Sequence, residues 1–295
     1  MKEKLVLVGN GMAGVRTLEE LLKIAPDKYE ITVFGTEPYG NYNRILLSPM
    51  LAGEKTLPEI MLNDRPWYAE HGITLHSGAE VVQIDRKRHR VTAADGTVAE
   101  YDRLLLATGS NPFIIPVPGH DLPGVVTFRD IRDVYLMMDA AKKYQHAVVI
   151  GGGLLGLEAA NGLMRQGMSV TVVHINETLM ERQLDKNAGL MLRKSLEQRG
   201  MHFHMPAQTV EIMGEERVRG VRFKDGAELY ADLVVMAVGI RPNMELAKKA
   251  GIHCERGIVV SDTMQTYDPA IYAVGECVQH RGQSYGLVAP LFEQA

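Results

Sequence analysis

Two glycine-rich segments with the same spacing constrain the fold of this chain more than any other feature. The first is "LVLVGNGMAGVRTLEELL" (5–22) and the second is "AVVIGGGLLGLEAA" (147–160). In both, an apolar run meets a G-x-G-x-x-G cluster and good helix formers follow. The pattern predicts a buried strand, a tight turn and a helix, and it occurs twice within 295 residues.

Each glycine cluster also predicts a nucleotide-binding turn. Glycines allow the backbone to approach a pyrophosphate, and the N-terminus of the following helix supplies N–H groups and a positive dipole end. One such motif is weak evidence, but two motifs that both follow a strand and precede a helix are strong evidence for two dinucleotides. The glycines are Gly9, Gly11 and Gly14 in the first cluster and Gly151, Gly153 and Gly156 in the second.

An acid near the end of the second strand of each unit is expected to bind a ribose. In the first unit, Glu37 is the carboxylate in the segment that follows Phe34. In the second unit, His174 occupies the expected position after "VTVV". A carboxylate there would favour NADH and an arginine would favour NADPH, but a histidine decides neither at neutral pH. Glu177 lies nearer than Arg182, so NADH is favoured while NADPH stays open.

The repeat extends beyond the glycine clusters. In both halves a D-G turn lies thirteen residues before a glycine that ends an apolar strand, and an aspartate lies seven residues before that glycine. These residues are Gly96, Asp102 and Gly109 in the first half and Gly226, Asp232 and Gly239 in the second. Matching offsets in the same order indicate an internal duplication.

A proline-rich stretch, "NPFIIPVPGHDLPG" (111–124), indicates the crossover between the two units. We expect the first part of one domain at 1–115, an inserted domain at 116–244 and the second part of the first domain at 245–295. The predicted fold class is α/β, with two Rossmann-like dinucleotide-binding domains of three-layer ββα type, the second inserted in the first.

Composition excludes several other classes of function. The net charge of −4 and the isoelectric point near 6.2 argue against a nucleic-acid partner. No apolar run approaches the roughly 18 residues of a membrane span. The N-terminal Met-Lys-Glu-Lys shows no signal-peptide pattern, and Cys254 and Cys277 are too few for a disulfide framework, so a cytoplasmic location is expected.

Four segments resemble the fingerprints of the pyridine-nucleotide–disulfide oxidoreductase superfamily. They are "LLLATGSNP", "VVIGGGLLGLEAA", "VMAVGIRPN" and "IYAVGEC", and the resemblance covers the whole chain. It implies that the first domain binds FAD, that the inserted domain binds NADH or NADPH, and that the nicotinamide gives a hydride to the flavin. It further implies that Glu276, in place of the usual aspartate, binds the ribityl chain and that Glu158 contacts the nicotinamide.

The segment "NYNRILLSP" (41–49) resembles a second motif, P-Y-x-R-x-x-L-S-K, of ferredoxin, rubredoxin and nitrite reductase flavoproteins. Arg44 and Ser48 match, whereas Pro49 replaces the lysine and Asn41 replaces the first proline. With "TLMERQLD" (178–185), this form is most similar to the flavin module of the assimilatory NAD(P)H nitrite reductase large subunit and to the electron-transfer subunit of assimilatory nitrate reductase. Arg44 is then the main cation expected near FAD and, with Glu158, a candidate catalytic residue.

The motifs and the resemblance together give a set of expected contacts to the two cofactors, with no metal site. The FAD set is Gly9, Gly11, Met12, Ala13, Gly14, Glu37, Arg44, Ser48, Val81, Ala107, Thr108, Gly109, Gly275 and Glu276. The NADH or NADPH set is Gly151, Gly153, Leu154, Leu155, Gly156, Glu158, His174 and Gly239.

The sequence carries no C-x-x-C pair and no cysteine cluster for an iron–sulfur centre or sirohaem. Cys254 and Cys277 are expected to be buried, although a peroxide-reducing thiol at Cys277 stays open. We therefore expect a flavin module without the C-terminal interface domain of the family. Its electrons would pass to a downstream iron–sulfur and sirohaem domain or to an electron-transfer protein.

Three hypotheses on function and two on assembly stay open at this point. The first is an FAD-dependent NAD(P)H oxidoreductase of nitrite or nitrate assimilation. The second is a stand-alone ferredoxin or rubredoxin reductase or an NADH oxidase, and the third is a non-catalytic sensor that binds FAD or another nucleotide. The chain is either a monomer or a homodimer.

Overall fold

The computed structural model of the chain describes residues 2–286 and 288–295. The strands, in chain order, are β1 (Glu3–Val8), β2 (Tyr29–Gly35), β3 (Asn41–Tyr42), β4 (Met61–Asn63), β5 (Thr74–Ser77), β6 (Val81–Asp85), β7 (Arg90–Ala93), β8 (Val98–Glu100), β9 (Arg103–Leu106), β10 (Ser110–Pro112), β11 (Val125–Thr127), β12 (His146–Ile150), β13 (Ser169–Val173), β14 (His202–His204), β15 (Thr209–Gly214), β16 (Val218–Phe223), β17 (Glu228–Tyr230), β18 (Leu233–Met236), β19 (Ile240–Pro242), β20 (Ile258–Val260), β21 (Ile271–Ala273), β22 (Val278–His280) and β23 (Gln283–Ser284). The helices are α1 (Met12–Ile24), α2 (Leu47–Leu51), α3 (Leu57–Ile60), α4 (Arg65–Glu70), α5 (Ile131–Ala141), α6 (Leu154–Arg165), α7 (Lys186–Glu197), α8 (Glu245–Lys249) and α9 (Val288–Glu293), and Arg44–Leu46 forms a 3-10 turn.

The chain divides into two compact units. Unit 1 comprises Met1–Asn43, Met61–Asn111 and Arg241–Ala295, and unit 2 comprises Arg44–Ile60 and Pro112–Ile240. Unit 2 is therefore inserted into unit 1 along the chain, as the predicted fold class requires.

Unit 1 is built on a five-stranded parallel sheet with the order β21-β9-β1-β2-β5. The apolar run of β1 is buried from Leu5 to Val8, as expected for the central strand of a parallel sheet covered on both faces. The antiparallel strands β6, β7 and β8 form a separate three-stranded sheet, with the predicted turn at Gly96 between β7 and β8.

Unit 2 repeats this arrangement. Its parallel sheet has the order β11-β18-β12-β13-β14, and β15, β16 and β17 form the antiparallel sheet, with the second predicted turn at Gly226. The predicted aspartates have matching roles in the two units. Asp102 accepts the backbone N–H of Lys4 at 2.7 Å, and Asp232 accepts those of Gln145 and His146 at 3.2 and 3.1 Å.

The segment 44–60 belongs to unit 2, which the sequence pattern did not indicate. Its helix α2 packs against α6 so closely that a Cβ atom at Gly162 would lie 2.6 Å from Leu51 Cγ. Gln166 also donates a hydrogen bond to the carbonyl oxygen of Leu51 at 2.8 Å. The segment is thereby fixed to α6, the helix that follows the second glycine cluster.

Candidate functional site

The first glycine turn joins β1 to α1 beside the end of β9. Gly9 has a φ of +109°, and a Cβ atom there would lie 2.1 Å from the carbonyl oxygen of Ala107. Only glycine fits this conformation and this close approach. Gly14 closes the turn from the helix, since its Cβ would lie 2.8 Å from that of Ala107. A Cβ at Gly11, in contrast, would have none of the described atoms within 4 Å, so the outer face of the turn has room for a ligand.

The second glycine turn is built in the same way. Gly151 has a φ of +124°, and its Cβ would lie 2.2 Å from the carbonyl oxygen of Ala237. A Cβ at Gly156 would lie 2.0 Å from the carbonyl oxygen of Gly151, and one at Gly153 would again have none of the described atoms within 4 Å. Two cradles of equal construction thus meet the requirement for close approach of a pyrophosphate.

Both turns lead directly into a helix. Gly11 and Gly153 are the N-cap residues of α1 and α6, with extended backbones and no side-chain cap. The first backbone N–H groups of a helix have no acceptor within the helix and form a partial positive charge. In α1 these groups belong to Met12, Ala13 and Gly14, and in α6 to Leu154, Leu155 and Gly156.

Unit 1 contains a cavity of about 190 Å³ next to its glycine turn. Three predicted site residues, Gly9, Val81 and Thr108, line it. Asn243, which the sequence motif "GIRPN" contains but which was not a predicted contact, also lines it. Its carbonyl oxygen accepts the Thr108 hydroxyl at 2.5 Å, and its N–H donates to the carbonyl oxygen of Gly109 at 2.9 Å. These contacts stabilise the loop after β9 in the wall of the cavity.

The predicted ribose-binding acid follows the second strand of unit 1. Glu37 lies just beyond β2, and the Tyr42 hydroxyl is 2.8 Å from its Oε2 and 3.1 Å from its Oε1. Tyr42 is buried, so it limits the orientations open to the carboxylate. Sequence analysis did not single out Tyr42 as a neighbour of Glu37, although the motif around Arg44 contains it.

Gly275 and Glu276 follow β21 and return to the first glycine turn. A Cβ at Gly275 would lie 3.1 Å from that of Ala13, in the first turn of α1. The Oε2 atom of Glu276 accepts the Ser110 hydroxyl at 2.7 Å. The structure thus brings these two predicted residues, which are remote in sequence from Ala13, to the same end of the unit 1 sheet.

The predicted catalytic residues lie in unit 2. The Ser48 hydroxyl donates a hydrogen bond to Glu158 Oε2 at 2.7 Å. Glu158 is in α6, two residues after Gly156, and Ser48 is in α2. Arg44 donates to the carbonyl oxygen of Arg129 at 2.9 Å. The hydroxyl of Ser48 thus contacts the carboxylate in a chain where Pro49 replaces the lysine of the motif.

His174 lies directly after β13 and is 8% exposed. Its Nδ1 atom accepts the backbone N–H of Gly152 at 3.1 Å, and its Nε2 atom lies 3.0 Å from Glu181 Oε2. Both ring nitrogens are therefore engaged within unit 2. Gly239 follows β18 with a φ of +118°, and its carbonyl oxygen accepts the Phe113 N–H at 2.9 Å.

The two cysteines are free, and Cys254 is only partly buried, whereas both were expected to be buried. Cys277 is completely buried, and its thiol lies 3.2 Å from the carbonyl oxygen of Val274. Burial raises the pKa of both Cys254 and Cys277. Both therefore stay protonated at neutral pH, and Cys277 lacks the thiolate that a peroxide-reducing residue needs.

Two other kinds of feature are absent from the described part of the chain. Residues 2–286 and 288–295 contain no group of three or more His, Cys, Asp or Glu side chains able to hold a metal ion. In the same residues no helix is long and apolar enough to cross a membrane.

Comparison with known proteins identifies the family. Residues 3–289 match the family described as pyridine nucleotide-disulphide oxidoreductase. The chain belongs to this family. Membership confirms the predicted relationship, and with it the class of NAD(P)H-dependent flavoprotein oxidoreductases and the cofactors FAD and NADH or NADPH. The two glycine cradles, with open space at Gly11 and Gly153, fit these two nucleotides.

The chain is similar to parts of two longer Bacillus subtilis proteins of this family. It is 56% identical over 294 residues to a nitrite reductase [NAD(P)H], covering 100% of this chain and 36% of that protein. It is 52% identical over 293 residues to an assimilatory nitrate reductase electron transfer subunit, covering 99% of this chain and 38% of that protein. The chain thus spans little more than a third of these relatives.

A solved structure confirms the predicted fold. The chain is similar to a protein in the covalent putidaredoxin reductase–putidaredoxin complex, with a TM-score of 0.92 and 30% identity. The similarity covers 99% of this chain and 73% of the other.

Proposed function

We propose that this chain is the electron-input module of a nitrite or nitrate assimilation enzyme, which takes electrons from NADH or NADPH and passes them through FAD to a downstream redox centre. The observation that carries the proposal is the presence of two complete glycine cradles in a chain that is 56% identical throughout to an NAD(P)H nitrite reductase. The acceptor would be an iron–sulfur and sirohaem domain or a separate electron-transfer protein, and the location cytoplasmic, as the two free thiols suggest.

Unit 1 would hold FAD and unit 2 the nicotinamide nucleotide. The backbone N–H groups at the start of α1 and α6 would bind the two pyrophosphates, because each helix N-terminus carries partial positive charge. Glu37 would bind the ribose of FAD, and Glu276 its ribityl chain, each oriented by a neighbouring hydroxyl. Bound FAD supplies the ability to accept two electrons from a nicotinamide and to release them singly.

We assign Glu158 the contact with the nicotinamide and Ser48 the positioning of its carboxylate. The hydrogen bond from Ser48 limits the rotation of the Glu158 side chain, so less conformational entropy is lost when the nucleotide binds. The serine hydroxyl adds no charge to this contact, and Pro49 stands at the next position, where the motif has a lysine.

The first experiment is anaerobic titration of the purified, FAD-loaded chain with NADH. We expect a yellow protein whose flavin absorbance is bleached by NADH. A yellow protein that neither NADH nor NADPH bleaches would contradict the proposal and favour the nucleotide-binding sensor. Sedimentation of the same sample distinguishes a monomer from a homodimer.

Variants of the pair formed by Ser48 and Glu158 test the assignment of residues. In single-turnover reduction by NADH we expect Glu158→Ala to be about tenfold to a hundredfold slower, while Ser48→Ala loses about tenfold or less, as for one typical hydrogen bond. Both should retain FAD. Glu54→Gln is the matched control, because Glu54 lies in the same segment but is exposed and pairs with Arg165. Unchanged rates in Glu158→Ala would count against this role.

A stand-alone ferredoxin or rubredoxin reductase is the second candidate. The similarity to a protein in the putidaredoxin reductase–putidaredoxin complex favours it. Reoxidation of the reduced flavin by ferredoxin or rubredoxin, but not by a sirohaem domain, would decide for this candidate.

A further inference from the structure

The two units differ in the residues that follow their second strands. In each unit the last paired residue of that strand lies opposite the residue before the glycine cluster. Counted from this pair, His174 is equivalent to Gly35, and Asn176 is equivalent to Glu37. Unit 2 therefore carries an amide at the position where unit 1 carries a carboxylate.

A carboxylate reaches this place from a later residue. Glu181 Oε1 accepts a hydrogen bond from Asn176 Nδ2 at 2.9 Å, and Glu181 Oε2 lies 3.0 Å from His174 Nε2. Because His174 Nδ1 accepts the N–H of Gly152, the proton of the neutral ring is on Nε2 and is donated to Glu181. The carboxylate is thus held by both residues that follow the strand.

The backbone before Glu181 is fixed to the glycine turn. The N–H of Met180 donates to the carbonyl oxygen of Gly152 at 3.0 Å. A Cβ at Gly152 would lie 2.7 Å from Leu179 Cδ2 and 2.8 Å from His174 Cγ. The middle glycine of "GGG" therefore provides the space in which Leu179 and His174 pack, and this packing sets the position of Glu181.

Glu181 is ionised at neutral pH and accessible to a ligand. Partial burial opposes ionisation, but hydrogen bonds from its own backbone N–H, His174 and Asn176 outweigh it and lower the pKa of the carboxyl group. Its side chain is 37% exposed.

We propose that Glu181 is the specificity-determining residue that selects a nicotinamide nucleotide with a free ribose 2′-hydroxyl, NADH, over NADPH with its 2′-phosphate. This inference rests on the proposed function, in which unit 2 binds the nicotinamide nucleotide. A carboxylate accepts a hydrogen bond from a ribose hydroxyl but repels a phosphate. In unit 2, His174 and Asn176 hold the carboxylate of Glu181 towards the ligand. In unit 1, Glu37 itself supplies the corresponding carboxylate.

The test is calorimetric titration of the FAD-loaded chain with NAD⁺ and NADP⁺, which bind without reducing the flavin. Three variants are compared with the unchanged chain, namely Glu181→Gln, Glu181→Ala and the control Glu177→Gln. Glu177 is a nearby carboxylate, 73% exposed, that pairs with Lys186 at 3.5 Å. Retained flavin absorbance reports that each variant is folded.

We expect the unchanged chain to bind NAD⁺ about tenfold or more tightly than NADP⁺. Glu181→Gln should reduce this ratio about tenfold, or about 1.4 kcal/mol, mainly through tighter NADP⁺ binding. Glu181→Ala should reduce it similarly and also weaken NAD⁺ binding, while Glu177→Gln keeps the ratio within about twofold.

Two results would overturn the inference while leaving the proposed function intact. One is a ratio of NAD⁺ to NADP⁺ affinity that stays the same in the folded Glu181 variants. The other is tighter binding of NADP⁺ than of NAD⁺ by the unchanged chain, which is measured without any variant. Failure of the proposed function looks different, because NADH and NADPH would then leave the flavin of the unchanged chain unbleached, whatever its ratio of affinities for NAD⁺ and NADP⁺.

Discussion

At the first glycine turn the side chain of Asn10 fills the space beside Gly35, whereas at the second the imidazole of His174 fills the space beside Gly152. A Cβ at Gly35 would lie 2.8 Å from Asn10 Cβ, and a Cβ at Gly152 would lie 2.8 Å from His174 Cγ. In each unit one side chain fits between turn and strand end, and the partner position is a glycine. The two units therefore fill this space in opposite ways. In unit 1 the large side chain is in the glycine turn, and in unit 2 it is at the end of the strand.

The difference has consequences for the ligand. In unit 1 the side chain of Asn10, which accepts the Tyr68 hydroxyl at 2.7 Å, belongs to the glycine turn. The residues after β2 continue to Glu37, which itself carries the carboxylate. In unit 2 the side chain is on the strand end, and the carboxylate comes from Glu181 instead. A carboxylate is therefore placed near the end of the second strand in both units, by two local routes.

The largest expected effect concerns what the two turns share. Gly9→Ala and Gly151→Ala each place a Cβ within 2.2 Å of a carbonyl oxygen at a positive φ. We expect each to lower the free energy of unfolding by about 3 kcal/mol or more in urea denaturation. Gly72→Ala is the control, since Gly72 has a φ of +64° but no described atom near its Cβ; it should cost about 1 kcal/mol. Equal losses at all three positions would refute the close-approach argument.

The next effect separates the two ligands. Gly11→Val and Gly153→Val place side chains in open space, so the stability of the FAD-free chain should change by about 1 kcal/mol or less. We expect Gly11→Val to lose FAD, and Gly153→Val to keep FAD while binding NAD⁺ at least about tenfold more weakly. Flavin absorbance and calorimetry measure both. Retention of full flavin absorbance in Gly11→Val would contradict the assignment of FAD to unit 1.

The smallest effect compares the two aspartates that directly precede β9 and β18, Asp102 and Asp232. Asp232 is partly buried, which opposes ionisation, but hydrogen bonds from Tyr230, His146 and Gln145 outweigh burial and lower its pKa below the ordinary 3.8. Its contribution to stability is therefore present above about pH 4 and is lost as the pH falls through the lowered pKa.

Asp232→Asn should consequently cost about 1 kcal/mol at pH 7, and the difference from the unchanged chain should shrink below about pH 4. Thermal unfolding at several pH values measures this. Asp102→Asn, at the matching position of unit 1, replaces the carboxyl acceptor of one backbone N–H by an amide and serves as the comparison. A difference that stays constant down to about pH 2 would show that the charge of Asp232 has no part in the effect.

Much of the fold could be predicted because the relevant signals are local. The glycine clusters, the D-G turns and the aspartates each depend on backbone conformation within a few residues, and their repetition along the chain is enough to indicate the duplication. The family followed from the same segments.

The rest could not be predicted from spacing, because it depends on contacts between distant segments. The hydrogen bond from Ser48 to Glu158 joins residues 110 positions apart, and the association of 44–60 with α6 depends on the lack of a side chain at Gly162. Counting along the chain places the expected acid at His174, whereas strand pairing aligns Glu37 with Asn176.

The sequence by itself determined that this chain forms two glycine-cradled α/β units, because only glycine tolerates the positive φ and the close backbone approach of such turns. Only the tertiary structure decided which carboxylate serves the strand end of unit 2. Glu181 is brought there by packing of Leu179 and His174 against Gly152, and such packing depends on shape in three dimensions rather than on distance along the chain.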